Sequence, residues 1–175
     1  MFKRKTKAFV LWFTGLPCSG KSTLADMVYD FLMKKDHKVE RLDGDTVRTV
    51  FPETGFTKEE RDEHIKRVGY LASMLEKNGI IVVSSFVSPY EESREFVRGL
   101  CRNFIEVYVS TSAEECEKRD VKGMYKKARE GEIENFTGIN DPYEIPRNPD
   151  IVIDAEKEPA EESFRKIKKH MRRYM

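Results

Sequence analysis

The sequence has little of what marks a secreted or membrane protein. Only three cysteines occur in 175 residues, and their spacing fits neither a disulfide-stapled domain nor a zinc site. No stretch approaches the ~20 apolar residues of a membrane span. The basic segment 1–7 runs into a strand-like segment without a small-residue cleavage site, which argues against a secretory signal. We therefore expect a cytoplasmic protein without membrane partners.

An excess of charge of one sign is also missing. The chain has 32 basic and 31 acidic residues and a net charge of +1, so its composition gives no case for nucleic acid as a partner. No internal repeat or low-complexity linker divides the chain. A chain of this length fills one core, and we predict a single domain over residues 1–175.

Apolar runs alternate with segments of helical period along the whole chain. Strands are predicted over 8–14, 39–42, 80–83, 104–109 and 151–153. Helices are predicted over 21–34, 59–77, 91–100, from 113 onward, and over 160–173. Continuous apolar strands between helices predict an α/β fold with three layers, a central parallel β-sheet with helices on both faces. Ligands are expected at the carboxyl ends of its strands.

Capping patterns mark three of the helix starts. Thr57 and Glu60 have capping-box spacing, as do Ser112 and Glu115. Ser88 with Glu91 fits the same pattern, with a proline at the first helical position. We therefore expect Ser88 to cap a helix.

One motif defines the chemical class. Residues 15–22 satisfy the G-x-x-x-x-G-K-[ST] pattern between an apolar strand and a helix, the position of a phosphate-binding loop (P-loop). Glycines let the backbone wrap a polyphosphate closely, and the helix N-terminus adds positive potential. Lys21 is expected to reach the β- and γ-phosphates, and Ser22 to ligate Mg²⁺. The predicted nucleotide-binding residues are Gly15, Leu16, Pro17, Cys18, Ser19, Gly20, Lys21, Ser22, Thr23 and Arg119.

Two carboxylates follow the second strand, on the same rim as the P-loop. The chain lacks the Asn-Lys-x-Asp motif of switch GTPases, and Ser84 and Ser85 stand where many P-loop proteins have a metal-binding Asp. Asp43 and Asp45 are therefore candidates to accept a proton from an attacking hydroxyl or to orient hydrated Mg²⁺. A simple Asp-Gly-Asp turn is the alternative interpretation.

Arginines and aromatic rings near the rim are candidates for holding an anionic acceptor. Arg48, Arg61 and Arg94 have the chemistry to bind a phosphate or sulfate with two hydrogen bonds, although each taken singly fits a solvated surface charge. Phe56 and Phe136 lie in polar, glycine-flanked segments with little core to join. Stacking on a flat ligand and packing at a core edge are both open for these rings.

An ordered set of motifs resembles the adenylyl-sulfate kinase (APS kinase) family over nearly the whole chain. After the P-loop, the matching segments are 42–48, 55–61 with 64–65, 85–90 with Arg94, 119–125, 136–139 and 141–144. The P-loop alone is generic, but this ordered set is specific. The resemblance implies that ATP phosphorylates the ribose 3′-hydroxyl of adenosine 5′-phosphosulfate (APS), giving 3′-phosphoadenosine 5′-phosphosulfate (PAPS) and ADP during sulfate assimilation.

The resemblance also assigns roles to residues. Asp45 is implied as the catalytic base, with Lys21 and Ser88 as further catalytic residues, Ser88 having been linked in the family to a phosphoserine intermediate. Residues 119–136 resemble a lid over ATP. Phe56 and Phe136 are implied to sandwich the APS adenine. The implied acceptor site comprises Asp43, Asp45, Arg48, Phe56, Arg61, His64, Val87, Ser88, Lys122, Asn135 and Phe136.

Several further expectations follow from the resemblance. ATP and Mg²⁺ are the implied cofactors, a homodimer is the usual assembly, and some relatives are joined to an ATP sulfurylase. His64 stands where the family usually has Asn, which adds the prospect of pH sensitivity. A P-loop kinase of another small hydroxyl acceptor and a nucleotide-binding module without turnover are the alternatives.

Overall fold

The computed structural model describes residues 7–175, so most of the basic segment 1–7 lies outside the described residues. Five strands form one parallel sheet in the order β2-β3-β1-β4-β5. The strands are β1 Val10–Thr14, β2 Val39–Asp43, β3 Ile81–Ser85, β4 Phe104–Ser110 and β5 Ile151–Asp154. The helices are α1 Lys21–Met33, α2 Gly44–Val50, α3 Lys58–Lys77, α4 Glu91–Leu100, α5 Ala113–Arg119, α6 Met124–Arg129 and α7 Ala160–Met171.

Helices cover both faces of the sheet, as the continuous apolar strands predicted. Alternate residues of β1 enter two cores because neighbouring side chains of a strand point to opposite faces. Leu11 and Phe13 pack on α1 and α7, and Val10 and Trp12 pack on the face covered by α3 and α4. The predicted three-layer α/β class is confirmed.

The strand ends define where a ligand can bind. Because all five strands are parallel, the residues that follow Thr14, Asp43, Ser85 and Ser110 meet at one rim of the sheet. The P-loop, the Asp43–Asp45 segment and the loop after β3 therefore lie side by side. No helix within residues 7–175 is both long and apolar enough to cross a bilayer.

Two local predictions at this rim were incomplete or wrong. Asp43 does not belong to a simple turn, because it is the N-cap of the short helix α2. Ser88 does not cap α4. That helix begins at Glu91 after Tyr90, and the Ser88 hydroxyl instead bonds to β1. Thr57 and Glu60 form the full capping box, while Ser112 accepts the Glu115 amide.

Candidate active site

The P-loop has a backbone conformation that depends on its two glycines. Gly15 has a φ of 151°, and a Cβ there would lie 2.6 Å from the carbonyl oxygen of Val109. Gly20, the residue before α1, has a φ of 103°, in the left-handed region that favours glycine. The loop carbonyls are held by neighbours. The Tyr125 hydroxyl donates to Pro17 O (3.0 Å) and the Thr111 hydroxyl to Ser19 O (3.0 Å).

Lys21 is folded into the loop that precedes it. Its Nζ donates to Leu16 O (2.6 Å) and to Ser19 Oγ (3.3 Å), and the residue is only 8% exposed. Burial lowers the pKa of Lys21 from 10.5 to about 8, against the opposing charges of Asp43 and Asp45. The ammonium group is thus poorly solvated and has only neutral hydrogen-bond partners in the loop. A polyphosphate bound in the loop would supply an anionic partner. Ser22 and Thr23 follow it, exposed, in the first turn of α1.

Arg119 closes a crevice beside the P-loop. It ends α5, donates from Nη2 to Ala155 O (3.0 Å) and pairs with Glu115 (3.1 Å). The crevice lies between this guanidinium, the start of α1 at Gly20 and Thr23, and the segment after β5. The arrangement offers a flat cationic surface next to the phosphate-binding backbone.

Asp43 is held by groups from two neighbouring strands. Its Oδ1 accepts from Ser85 Oγ (3.0 Å) and lies 3.4 Å from Arg41 Nη2, while Arg41 also donates to Ser85 (2.8 Å). Its Oδ2 accepts the backbone amide of Asp45 (3.1 Å). Asp43 therefore fixes the start of α2. The sequence predicted no support of Asp43 by Arg41 or Ser85, and their proximity follows from the β2–β3 register that brings Asp43 opposite Ser85.

Asp45 lies in the first turn of α2 with its carboxylate in solvent. Its side chain is 75% exposed and forms an ion pair with Lys122, which is 61% exposed and belongs to the predicted lid. An exposed pair of this kind contributes little to stability, about 0–1 kcal/mol. The ion pair connects the rim to the predicted lid, and either side chain can leave it for another partner at little cost in free energy.

Arg48 and Arg61 both lie close to the exposed Phe56 ring. Their guanidinium carbons are 4.4 Å and 5.3 Å from the ring centroid, within the range of cation–π attraction. Arg48 donates to Thr54 O (2.9 Å) and Arg61 to Phe56 O (2.9 Å). The structure brings these three predicted acceptor residues together.

His64 lies beneath this cluster, 3% exposed, between the rings of Phe51 and Phe86. Burial, with the positive charges of Arg48 and Arg67, lowers the pKa of His64 from 6.5 to about 4. The imidazole is therefore neutral at physiological pH. The expected pH sensitivity lies in the acidic range and not near neutrality.

The Ser88 hydroxyl belongs to a buried hydrogen-bond chain. It accepts from Trp12 Nε1 (3.1 Å) and donates to Thr14 Oγ1 (2.9 Å), and Thr14 donates to Val87 O (2.8 Å). Tyr143 then donates to Thr14 Oγ1 (2.9 Å). Ser88 is 1% exposed. This chain ties the loop that carries Val87 and Ser88 to the residue that precedes the P-loop.

Asn135 and Phe136 end the predicted lid, and they differ in burial. Asn135 is exposed, and its carbonyl accepts from Arg61. Phe136 is 7% exposed and packs edge-on against Tyr125 at 4.9 Å in a small core with Cys116. The expectation that Phe136 has little core to join was wrong, because α5 and α6 supply one.

Arg94 has neither of the roles considered for it. It is 1% exposed, pairs with Glu106 (3.1 Å), and donates to Ser88 O (2.7 Å) and Glu144 O (2.7 Å). It is not a solvated charge, and its Nη atoms are occupied by protein carbonyls. Arg94 instead supports the loop that carries Val87 and Ser88.

A P-loop that shares its rim with an open carboxylate and a cluster of arginines is the arrangement of a P-loop phosphotransferase. The sequence profile of the family described as Adenylylsulphate kinase matches residues 7–154. Because this match covers most of the chain, the protein belongs to the adenylyl-sulfate kinase family. It is an ATP-dependent kinase that phosphorylates the 3′-hydroxyl of APS, forming PAPS and ADP.

Individual relatives agree with this assignment. The chain is 52% identical over 160 residues to a probable adenylyl-sulfate kinase of Pseudomonas aeruginosa, covering 91% of this chain and 75% of the relative. It is 51% identical to the adenylyl-sulfate kinase of Halothermothrix orenii, covering 94% and 89%. The structure of Mycobacterium tuberculosis APS kinase CysC in complex with AMPPNP and APS superposes with a TM-score of 0.89 at 35% identity, covering 94% and 97%.

Proposed function

We propose that Asp45 is the general base of this reaction and that the P-loop presents the γ-phosphoryl group to the acceptor. The observation that carries the proposal is the exposed Asp45 carboxylate on the rim beside Lys21. The only ion-pair partner of Asp45 within residues 7–175 is Lys122. A carboxylate in that position accepts the proton of the ribose 3′-hydroxyl as its oxygen attacks the γ-phosphorus. The bond to the β,γ-bridging oxygen then breaks and ADP leaves.

ATP is assigned to the P-loop and the crevice beside it. Residues 15–23 supply backbone amides, and Lys21 leaves Leu16 O to neutralise charge on the β- and γ-phosphates. The Arg119 guanidinium packs against the adenine base, because it presents a flat cation at the crevice beside the P-loop. Residues 119–136 act as a lid, and Lys122 exchanges Asp45 for the bound substrates.

APS is assigned to the cluster around Phe56. Arg48 and Arg61 hold the phosphosulfate group, and Phe56 stacks on the adenine. Val87, Ser88 and Asn135 complete the walls, and His64 and Asp43 support them. His64 and Phe136 are nearly buried, so their contact with APS requires neighbouring side chains to rearrange as the acceptor enters.

Ser88 supports the site without forming a covalent bond in this proposal. Its hydroxyl proton is donated to Thr14, its oxygen accepts from Trp12, and the residue is 1% exposed. Direct transfer needs positioning and charge neutralisation rather than a phosphorylated intermediate. Ser88 is therefore assigned to the geometry of the acceptor loop.

The residues near the P-loop fit a magnesium ion carried in with ATP. Mg²⁺ retains several waters and needs few protein ligands besides phosphate oxygens. The exposed Ser22 hydroxyl is the protein ligand, and Asp43, held by Ser85 and Arg41, orients water around the ion. Bound Mg²⁺ would neutralise charge that develops on the phosphates.

Three further properties are part of the proposal. We infer that residues 1–175 form one domain, since one sheet organises residues 7–175. We infer that the protein works in the cytoplasm, where its cysteines remain reduced thiols. We also infer a homodimer, with association to an ATP sulfurylase as a further option. Light scattering of the pure protein, alone and with the sulfurylase, tests both assemblies.

An APS-dependent assay tests the proposed roles. Purified protein is incubated with ATP and Mg²⁺, with and without APS, and ADP and PAPS are separated by chromatography. Asp45→Asn is expected to lower kcat at least about 100-fold with little change in KM for ATP. Asp30→Asn, which replaces an exposed carboxylate on α1, is the matched control. Equal activity of the two variants would refute the assignment of Asp45.

A further inference from the structure

A compact turn follows the predicted lid and anchors its end. The amides of Ile139, Asn140 and Asp141 all donate to Phe136 O, at 3.1 to 3.2 Å. The Phe136 amide donates to Asn140 Oδ1 (2.5 Å), and the Gly138 amide to Asp141 O (2.9 Å). We call residues 136–141 the post-lid turn. Because Phe136 is also the last residue of the predicted lid, the turn fixes the position of the C-terminal end of the lid.

The Asp141 side chain leaves this turn and contacts α3 and the residue that precedes α4. Its Oδ2 accepts from the hydroxyl of Tyr90 (2.8 Å), the residue before α4. The same oxygen lies 3.9 Å from Nε of Arg61 on α3. The side chains of Asp141 and Arg61 are 16% and 11% exposed, and Tyr90 is 3% exposed. This junction is therefore largely shielded from water.

Arg61 is held along one edge of its guanidinium. Nε donates to Phe56 O (2.9 Å) and lies near Asp141, and Nη2 donates to Asn135 O. No partner within residues 7–175 is recorded for Nη1. A guanidinium fixed on one edge keeps its remaining donors available, in a constant direction, for an anion.

We propose that Asp141, itself oriented by Tyr90, is a positioning residue that aims Arg61 at the acceptor and fastens the end of the lid to α3. The inference rests on the proposed function, in which Arg61 holds the phosphosulfate group. It adds a residue that touches neither substrate nor the reacting atoms. Through it, one carboxylate links the acceptor site and the lid.

Two effects of Asp141 on APS binding have opposite signs. Its negative charge repels the anionic acceptor, so that removing the charge alone would strengthen binding. Its hold on Arg61 and the post-lid turn preorganises the site, so that removing it would weaken binding. The repulsion acts across a solvent-filled cleft where screening is strong, whereas the hold acts at a shielded junction. Preorganisation is therefore the larger effect.

The test uses Asp141→Asn and Tyr90→Phe, two nearly isosteric changes. Asp141→Asn is expected to raise KM for APS about tenfold, equal to about 1.4 kcal/mol, while kcat and KM for ATP change less than about threefold. Tyr90→Phe is expected to act in the same direction, by about threefold. The double variant should match Asp141→Asn, because Tyr90 acts through Asp141. Asp30→Asn and Tyr70→Phe, both exposed sites, are the matched controls.

Amide hydrogen exchange of the ligand-free protein gives a readout that does not depend on activity. Asp141→Asn is expected to accelerate exchange in residues 136–141 about tenfold, without acceleration in β1 or α1. This outcome together with the selective rise in KM for APS supports the proposal. It is overturned by an unchanged or lower KM for APS, or by equal losses in kcat and in both KM values.

Failure of the proposed function would be visible separately. If the wild type made no PAPS, the activity itself would be refuted, whereas calorimetric binding of APS and the exchange measurement would still judge Asp141. Unchanged exchange in residues 136–141 with unchanged APS affinity would overturn the role of Asp141 even in an active kinase.

Discussion

Acid should destabilise this protein partly through His64. The ring is 3% exposed, its Nε2 has no hydrogen-bond partner within residues 7–175, and burial lowers its pKa from 6.5 to about 4. The unfolded chain therefore binds a proton below about pH 6.5 that the folded protein takes up only near pH 4. The neutral His64 ring therefore makes its full contribution to the free energy of unfolding above pH 6.5, and this contribution is lost as the pH falls toward 4.

The size of this effect follows from the two pKa values. At pH 5 the His64 ring is almost fully protonated in the unfolded state and almost fully neutral in the folded state. The free energy of unfolding should therefore fall by about 2 kcal/mol between pH 7.5 and pH 5 because of this one group. His64→Asn, which cannot take up a proton, should lack this component while keeping the contribution of the other groups.

Urea unfolding at pH 7.5 and pH 5 measures the difference directly. The expected result is that the wild type loses about 2 kcal/mol more than His64→Asn over this interval. His37→Asn, at a position that follows α1, is the control and should lose as much as the wild type. Parallel losses in the wild type and His64→Asn would refute the neutral, buried imidazole.

Three other predictions concern the rim and its support. Because burial lowers the pKa of Lys21 to about 8, calorimetry should show ATP binding about tenfold weaker at pH 9 than at pH 7; equal affinities would contradict this. Arg94→Met leaves the buried Glu106 with Arg98 as its one remaining ion-pair partner within residues 7–175 and removes the hydrogen bond to Ser88 O, so urea unfolding should show a loss of about 3 kcal/mol, against little change for the exposed Arg67→Met. Phe136→Ala should lower the melting temperature by several degrees, whereas Phe56→Ala should raise KM for APS with little change in melting temperature. The reverse pattern would contradict the burial of Phe136 and the exposure of Phe56.

Local sequence patterns predicted the elements that depend on local chemistry. The P-loop glycines and the Thr57 capping box have structural requirements that few residue types satisfy, and the structure has both features. The alternating apolar segments predicted the layered sheet because parallel strands must be covered on both faces. Helix α2 was missed, although Asp43 is an N-cap residue type, because its seven residues have no clear apolar period.

Contacts between distant segments could not be read from the chain. Ser88 has the spacing of a capping box with Glu91, yet its hydroxyl bonds to Thr14, 74 residues earlier. Arg94 lies on a charged, exposed-looking helix, but Glu106 on β4 and two carbonyls surround it. Phe136 joins a core that only the packing of α5 and α6 creates. In each case the outcome depends on tertiary neighbours that no local pattern specifies.

A crystal structure with a non-hydrolysable ATP analogue and APS bound together tests the catalytic geometry most directly. The account predicts the Asp45 carboxylate within about 3.2 Å of the ribose 3′-oxygen, with Lys122 turned from Asp45 toward the nucleotides and the triphosphate in the loop at Lys21. A 3′-oxygen that faces any other side chain, with Asp45 still paired to Lys122, would contradict it.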